Sequence, residues 1–101
     1  KDFWLWENGR RLDERCREAP KTCRVLEEVV GSDAVDMPKG NIYFSMVEPG
    51  TTLTAHCGPT NARIRVHLGL VCPPGARLRV GDETRTWGEG DVLVFDDSFE
   101  H

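Results

Sequence analysis

Apolar and polar positions change their period once along this chain, and the change separates two regimes. Over Lys21 to Val30, the residues Val25, Leu26, Val29 and Val30 recur at helical spacing, with Thr22 placed as a cap and Gly31 as a stop, which predicts a short helix. From Asn41 onward the period is two, the mark of strands with one buried face. Ile42, Phe44 and Met46 alternate with Asn41, Tyr43 and Ser45 until Pro49-Gly50 supplies turn chemistry. The next strand is expected over Arg63 to Val71, with Ile64, Val66, Leu68 and Leu70 on one face and Arg63, Arg65, His67 and Gly69 on the other. Ala76 to Val80 and Thr84 to Trp87 read as strands around a Gly81-Asp82-Glu83 hairpin turn, and Asp91 to Phe95 as a last strand after Gly88-Glu89-Gly90. Asp2 to Arg17 begins with Phe3, Trp4, Leu5 and Trp6 and then turns polar, so it reads as an apolar tail tucked against a core; Ser32 to Gly40 reads as a loop. Many short strands parted by Gly and Pro turns indicate a mainly β sandwich or barrel.

Composition narrows the partners. At 101 residues the chain is one domain or a piece of one. A net charge of −4, with arginines scattered among acids, lacks the basic face that collects nucleic-acid phosphates, so no nucleic-acid partner is expected. No apolar run approaches the roughly 20 residues of a membrane span, and no membrane contact is expected of this segment; an anchor elsewhere in a parent chain stays open. The four cysteines contain no C-x-x-C pair, which argues against a zinc site. Cys16 and Cys23 flank a short loop in which Pro20 favours a bend, so they are either a bridge of an oxidising compartment or two reduced thiols; Cys57 and Cys72 read as free thiols.

All three histidines, His56, His67 and His101, fall in the β-rich half. His56 closes the run from Pro49 and His101 closes the run from Gly90, each a turn, a strand and then a histidine. In a double-stranded β-helix such strand ends converge at the barrel mouth, where two imidazoles would reach one metal ion; imidazole suits iron. Non-haem iron sites commonly add a carboxylate two residues after the first histidine, and that position here is Gly58.

The run from His56 through Arg63, Arg65 and His67 to Leu70, together with Phe95-Asp96-Asp97-Ser98-Phe99-Glu100-His101, resembles the aspartyl/asparaginyl β-hydroxylase family. The likeness extends through Gly9-Arg10-Arg11, Ala19-Pro20-Lys21-Thr22-Cys23, Ser45 and Glu83-Thr84-Arg85-Thr86-Trp87, and so covers nearly the whole chain. The resemblance implies a double-stranded β-helix (jelly-roll or cupin-like) catalytic domain, with residues 1–40 as a helix and loop segment and 41–101 as jelly-roll strands. It implies an Fe(II)- and 2-oxoglutarate-dependent dioxygenase that uses O2 to hydroxylate the β-carbon of Asp or Asn in epidermal-growth-factor-like domains of protein substrates, in the endoplasmic reticulum lumen. By the same resemblance His56 and His101 are the metal ligands, Ser45, Arg65 and His67 bind the carboxylates of 2-oxoglutarate, Asp97 is a carboxylate that orients the metal site, and Cys16 and Cys23 match a disulfide pair. Cys57, directly after His56, departs from the family pattern and would put an oxidisable thiol beside the metal. The family's further strands, including an arginine that clamps the far carboxylate, are expected after His101, so the activity is expected of a parent protein. The alternative from another class is a cupin-like metal- or ligand-binding module without oxygenase activity; Ser45 with Arg65 and His67 discriminates, because a passive module has no need of a dicarboxylate clamp.

Overall fold

The computed structural model describes residues 1–29 and 40–101. They form two compact units, Lys1–Thr51 and Thr52–His101, each built around its own sheet pairings.

In the first unit the expected apolar tail is a strand, β1 (Asp2–Glu7), followed by the short β2 (Arg10–Arg11). The three aromatic residues Phe3, Trp4 and Trp6, of high strand propensity, favour this state, and Asn8-Gly9 closes the hairpin with both residues at positive φ, 53° and 78°. That is the turn that matches the twist of a two-residue hairpin. On its other side β1 pairs antiparallel with β3 (Ile42–Ser45), giving the order β2-β1-β3. The register shifts between Trp4 and Trp6, and this bulge lets the consecutive residues Leu5 and Trp6 both turn inward, where strict alternation would expose one of them. Helix α1 (Asp13–Glu18) carries Asp13 and Glu14 in its first turn and Arg15 and Arg17 in its last, in accord with the helix dipole.

Helix α2 spans Pro20–Val29. Thr22 therefore lies inside the helix and is not its cap; Pro20 starts it, since its fixed φ and missing N–H suit the first helical position. Val30, the expected stop at Gly31 and the Ser32 to Lys39 part of the loop lie outside the described residues. Leu26 packs on the core, whereas Val25 and Val29 are exposed. Cys16 of α1 and Cys23 of α2 form a disulfide with Cα atoms 5.7 Å apart, and both sit with Leu5 and Trp6 in the buried core, packed by Phe3, Ala19, Ile42 and Phe44. Outside it, Trp4 stacks on Tyr43 at 4.3 Å between ring centroids.

The second unit holds two antiparallel pairs, β4 (Arg65–Leu68) with β7 (Val92–Phe95) and β5 (Arg77–Val80) with β6 (Glu83–Thr86). The β5–β6 hairpin turns at Gly81-Asp82, as the sequence predicts, with Gly81 at φ 58°. The register of β4 on β7 places Val66 opposite Val94 and Leu68 opposite Val92 on one face, and Arg65 opposite Phe95 and His67 opposite Leu93 on the other. Burial is the reverse of what the apolar alternation suggests: Val66 and Val94 are each 64% exposed, while Arg65 and His67 are half-buried. Among the described residues of this unit no large apolar side chain is fully buried, and the side chain at its centre is the carboxylate of Asp97. The described elements are mainly strands with a small helical part, in three small sheets, and do not close into a barrel. No described helix is long and apolar enough to cross a membrane.

Candidate functional site

The chemistry of the second unit gathers on the Arg65–His67 face of β4 and on the segment that follows β7. His56 does not stand on a regular strand. It is held instead by a reciprocal main-chain pair, His56 N–H to His101 O and His101 N–H to His56 O, both at 3.0 Å. A regular antiparallel ladder would next pair Gly58 with Phe99. The turn over Asp96 to Phe99 takes that place, so Gly58 N–H donates to Asp97 O, and the ladder stops after one step.

The pairing brings two imidazoles together, with ring centroids 4.4 Å apart and planes inclined by 58°. In each ring Nδ1 lies beside a backbone carbonyl two residues back, Thr54 O at 2.8 Å for His56 and Phe99 O at 2.9 Å for His101. A carbonyl oxygen only accepts, so Nδ1 carries a proton in both rings, and in the neutral tautomer Nε2 is the nitrogen that keeps a lone pair. Metal-binding histidines are oriented by this kind of bond from the non-ligating nitrogen. With imidazole nitrogens about 2.1 Å from a divalent ion, two rings bound at right angles would have centroids about 4.5 Å apart, which the observed spacing matches. The two rings thus stand at a spacing that two ligands of one metal ion would have. No group of three or more His, Cys, Asp or Glu side chains able to hold a metal occurs among the described residues.

Phe95 stands between this pair and His67, 5.5 Å from the His101 ring and edge-on to His67 at 4.9 Å. Trp87 lies nearly parallel to His67, at 6.1 Å between ring centroids. Burial, with the positive charge of Arg65 and the proximity of His101, lowers the pKa of His67 from its ordinary 6.5, so this ring is neutral at neutral pH.

Asp97 is 1% exposed and accepts from two arginines: Arg63 Nε at 3.4 and 3.1 Å and Nη2 at 2.9 Å, and Arg65 Nε at 2.9 Å. Burial alone would raise the Asp97 carboxyl, but the hydrogen bonds and charges of Arg63 and Arg65 outweigh it and hold the group below its ordinary 3.8. Its neighbour Asp96 is an ordinary turn residue, accepting from Ser98 N–H and Oγ–H. The structure therefore brings His56, His101, His67, Arg65 and Asp97 into one region of the second unit. Ser45 lies in the first unit, at the end of β3 and opposite Asp2. The sequence puts Arg63 on the face of Arg65 and His67 but assigns it no role, and its grip on Asp97 is visible only in space; Phe95 and Trp87 likewise look like ordinary apolar positions until their rings are found beside His67.

The sequence model of the family described as "Aspartyl/Asparaginyl beta-hydroxylase" matches residues 1–101. The chain belongs to the aspartyl/asparaginyl β-hydroxylase family. It is 51% identical over 100 residues to the mouse (Mus musculus) protein named aspartyl/asparaginyl beta-hydroxylase and 50% identical to the human (Homo sapiens) one, covering 98% of this chain and 13% of each relative. It is 44% identical over 102 residues to human aspartate beta-hydroxylase domain-containing protein 2, covering 98% of this chain and 27% of that protein. The chain thus spans between about an eighth and a quarter of the length of these relatives, and its membership is of a family named for hydroxylation.

Proposed function

We propose that the protein containing this chain is an Fe(II)- and 2-oxoglutarate-dependent dioxygenase that hydroxylates the β-carbon of Asp or Asn residues in epidermal-growth-factor-like domains of protein substrates. The overall change takes O2 and 2-oxoglutarate, puts one oxygen atom on the substrate carbon, and releases succinate and CO2. One observation carries the reading: two imidazoles clasped through their main chains, each with Nδ1–H tied to a carbonyl and Nε2 left to bind. Iron held by His56 and His101 would supply the oxygen activation that amino-acid side chains lack.

The remaining work falls to the protein. Arg65 and His67 share the face that the metal pair adjoins, and a guanidinium beside a neutral imidazole suits a carboxylate acceptor. Asp97 keeps Arg65 in place, and the rings of Phe95 and Trp87 pack beside His67. The strands of the second unit would form part of a double-stranded β-helix in the complete domain. The Cys16–Cys23 bridge supports work in an oxidising compartment, here the endoplasmic reticulum lumen.

The test incubates the full-length protein with a peptide from an epidermal-growth-factor-like domain, ferrous ion and 2-oxoglutarate, and weighs the peptide by mass spectrometry. A gain of one oxygen atom, matched mole for mole by succinate and abolished in His56→Ala, is the expected result. Binding of ferrous ion without oxygen transfer to any Asp or Asn peptide, or undiminished turnover in His56→Ala, would overturn the proposal; the first would favour the cupin-like binding module.

A further inference from the structure

Gly58 follows His56 by two residues and faces the Asp97 carboxylate at closest range. A Cβ at this position would lie 2.6 Å from Oδ1, 2.7 Å from Cγ and 2.8 Å from Oδ2, well inside the roughly 3.5 Å at which carbon atoms pack. The glycine main chain has no slack to give, because its N–H donates to Asp97 O at 2.6 Å. The carboxylate has none either. An exposed flexible side chain would swing aside, but Asp97 is buried and gripped by the Arg63 fork and by Arg65 Nε.

We infer that Gly58 and Arg63 are positioning residues: Gly58 leaves the volume that the Asp97 carboxylate fills, and Arg63 pins that carboxylate so that it in turn orients Arg65. What Arg65 is oriented for rests on the oxygenase reading; the packing of the three residues does not. One consequence concerns the position two after a ligand histidine, where non-haem iron sites commonly carry a carboxylate ligand. Gly58→Asp does not create such a ligand, because the new carboxylate would compete with Asp97 for the same volume and the same arginines.

The experiment uses the full-length protein with Gly58→Ala, Asp97→Ala, the double variant, Gly58→Asp and Arg63→Lys. Manganese(II) affinity is read by electron paramagnetic resonance, 2-oxoglutarate affinity by titration of the manganese-loaded protein, and local order by hydrogen exchange of the β4 and β7 amides without any ligand. Gly58→Ala is expected to weaken 2-oxoglutarate binding by roughly 10- to 100-fold, taking as a guide the range for loss of a partner that orients a metal ligand, with manganese affinity changed far less. In the Asp97→Ala background the same Gly58→Ala change is expected to cost nothing further, since the clash has gone. Arg63→Lys keeps the charge but loses the fork, and is expected to raise the KM for 2-oxoglutarate more than it lowers kcat. Additive losses from Gly58→Ala and Asp97→Ala, or tighter manganese binding by Gly58→Asp, would overturn the inference. Failure of the unsubstituted protein to bind manganese or 2-oxoglutarate removes the oxygenase reading instead; the ligand-free exchange still decides the packing, with faster exchange expected in Gly58→Ala and no added effect beside Asp97→Ala.

Discussion

Replacing Asp97 by Asn tests the centre of the second unit with little change of shape. The carboxylate is 1% exposed, and its arginine partners are about a third exposed, at 33% for Arg63 and 30% for Arg65. Removing one member of a fully buried ion pair costs about 3–5 kcal/mol. Here the two guanidinium groups can turn partly toward water once the charge is gone, which discounts that figure as it does for exposed pairs, so the expected loss is about 2–3 kcal/mol. Its pH dependence has a fixed sign. The folded-state pKa of Asp97 is depressed, so the stabilisation is fully present above the ordinary value of 3.8 and is lost as pH falls through the lower folded value. The stability gap between the native protein and Asp97→Asn is therefore constant from pH 7 to about 5 and closes in stronger acid. Urea unfolding of the full-length protein, followed through the protection of β4 and β7 amides, measures that gap at each pH. A gap under about 0.5 kcal/mol, the ordinary range for a surface substitution, or one unchanged down to pH 2, would refute the view that a charged Asp97 organises the two arginines.

Two further outcomes are expected. Reduction of the Cys16–Cys23 bridge, whose sequence separation is seven residues, destabilises the first unit by about 2.4 kcal/mol on the chain-entropy relation; denaturant midpoints with and without reductant check it, and equal midpoints would contradict it. The lowered pKa of His67 means that the unfolded chain takes up its proton first as pH falls, so this group's contribution is complete above about 6.5 and declines below it. His67→Gln should abolish that slope in melting temperature between pH 7.5 and 5, and an identical slope in the variant would exclude His67 as its source.

The nearness of His56 and His101 was legible in the sequence, where each closes a run that reads as turn and strand, although no regular strand leads into His56. Period-two alternation placed β4, β5, β6 and β7 within a few residues of where they lie. The first segment was misread because Phe3-Trp4-Leu5-Trp6 is an unbroken apolar run with no alternation to read, and because the bulge beside Leu5 lets two consecutive residues face the core. The buried face of β4 was misread for a different reason. Alternation tells which residues share a face, but a sheet that gathers ion pairs around a buried carboxylate turns its polar face inward. Nor can spacing along the chain reveal that Gly58 must lack a side chain, since its obstacle is Asp97, far away in sequence and adjacent in space.

The main-chain clasp between His56 and His101 separates two things that proteins usually have to adjust together. The distance between the imidazoles is set by peptide groups, which every amino acid possesses, and not by the bulk of neighbouring side chains. Side chains that do not touch this backbone pair can then change while the rings keep their spacing, much as a tool holder accepts new bits without being re-machined.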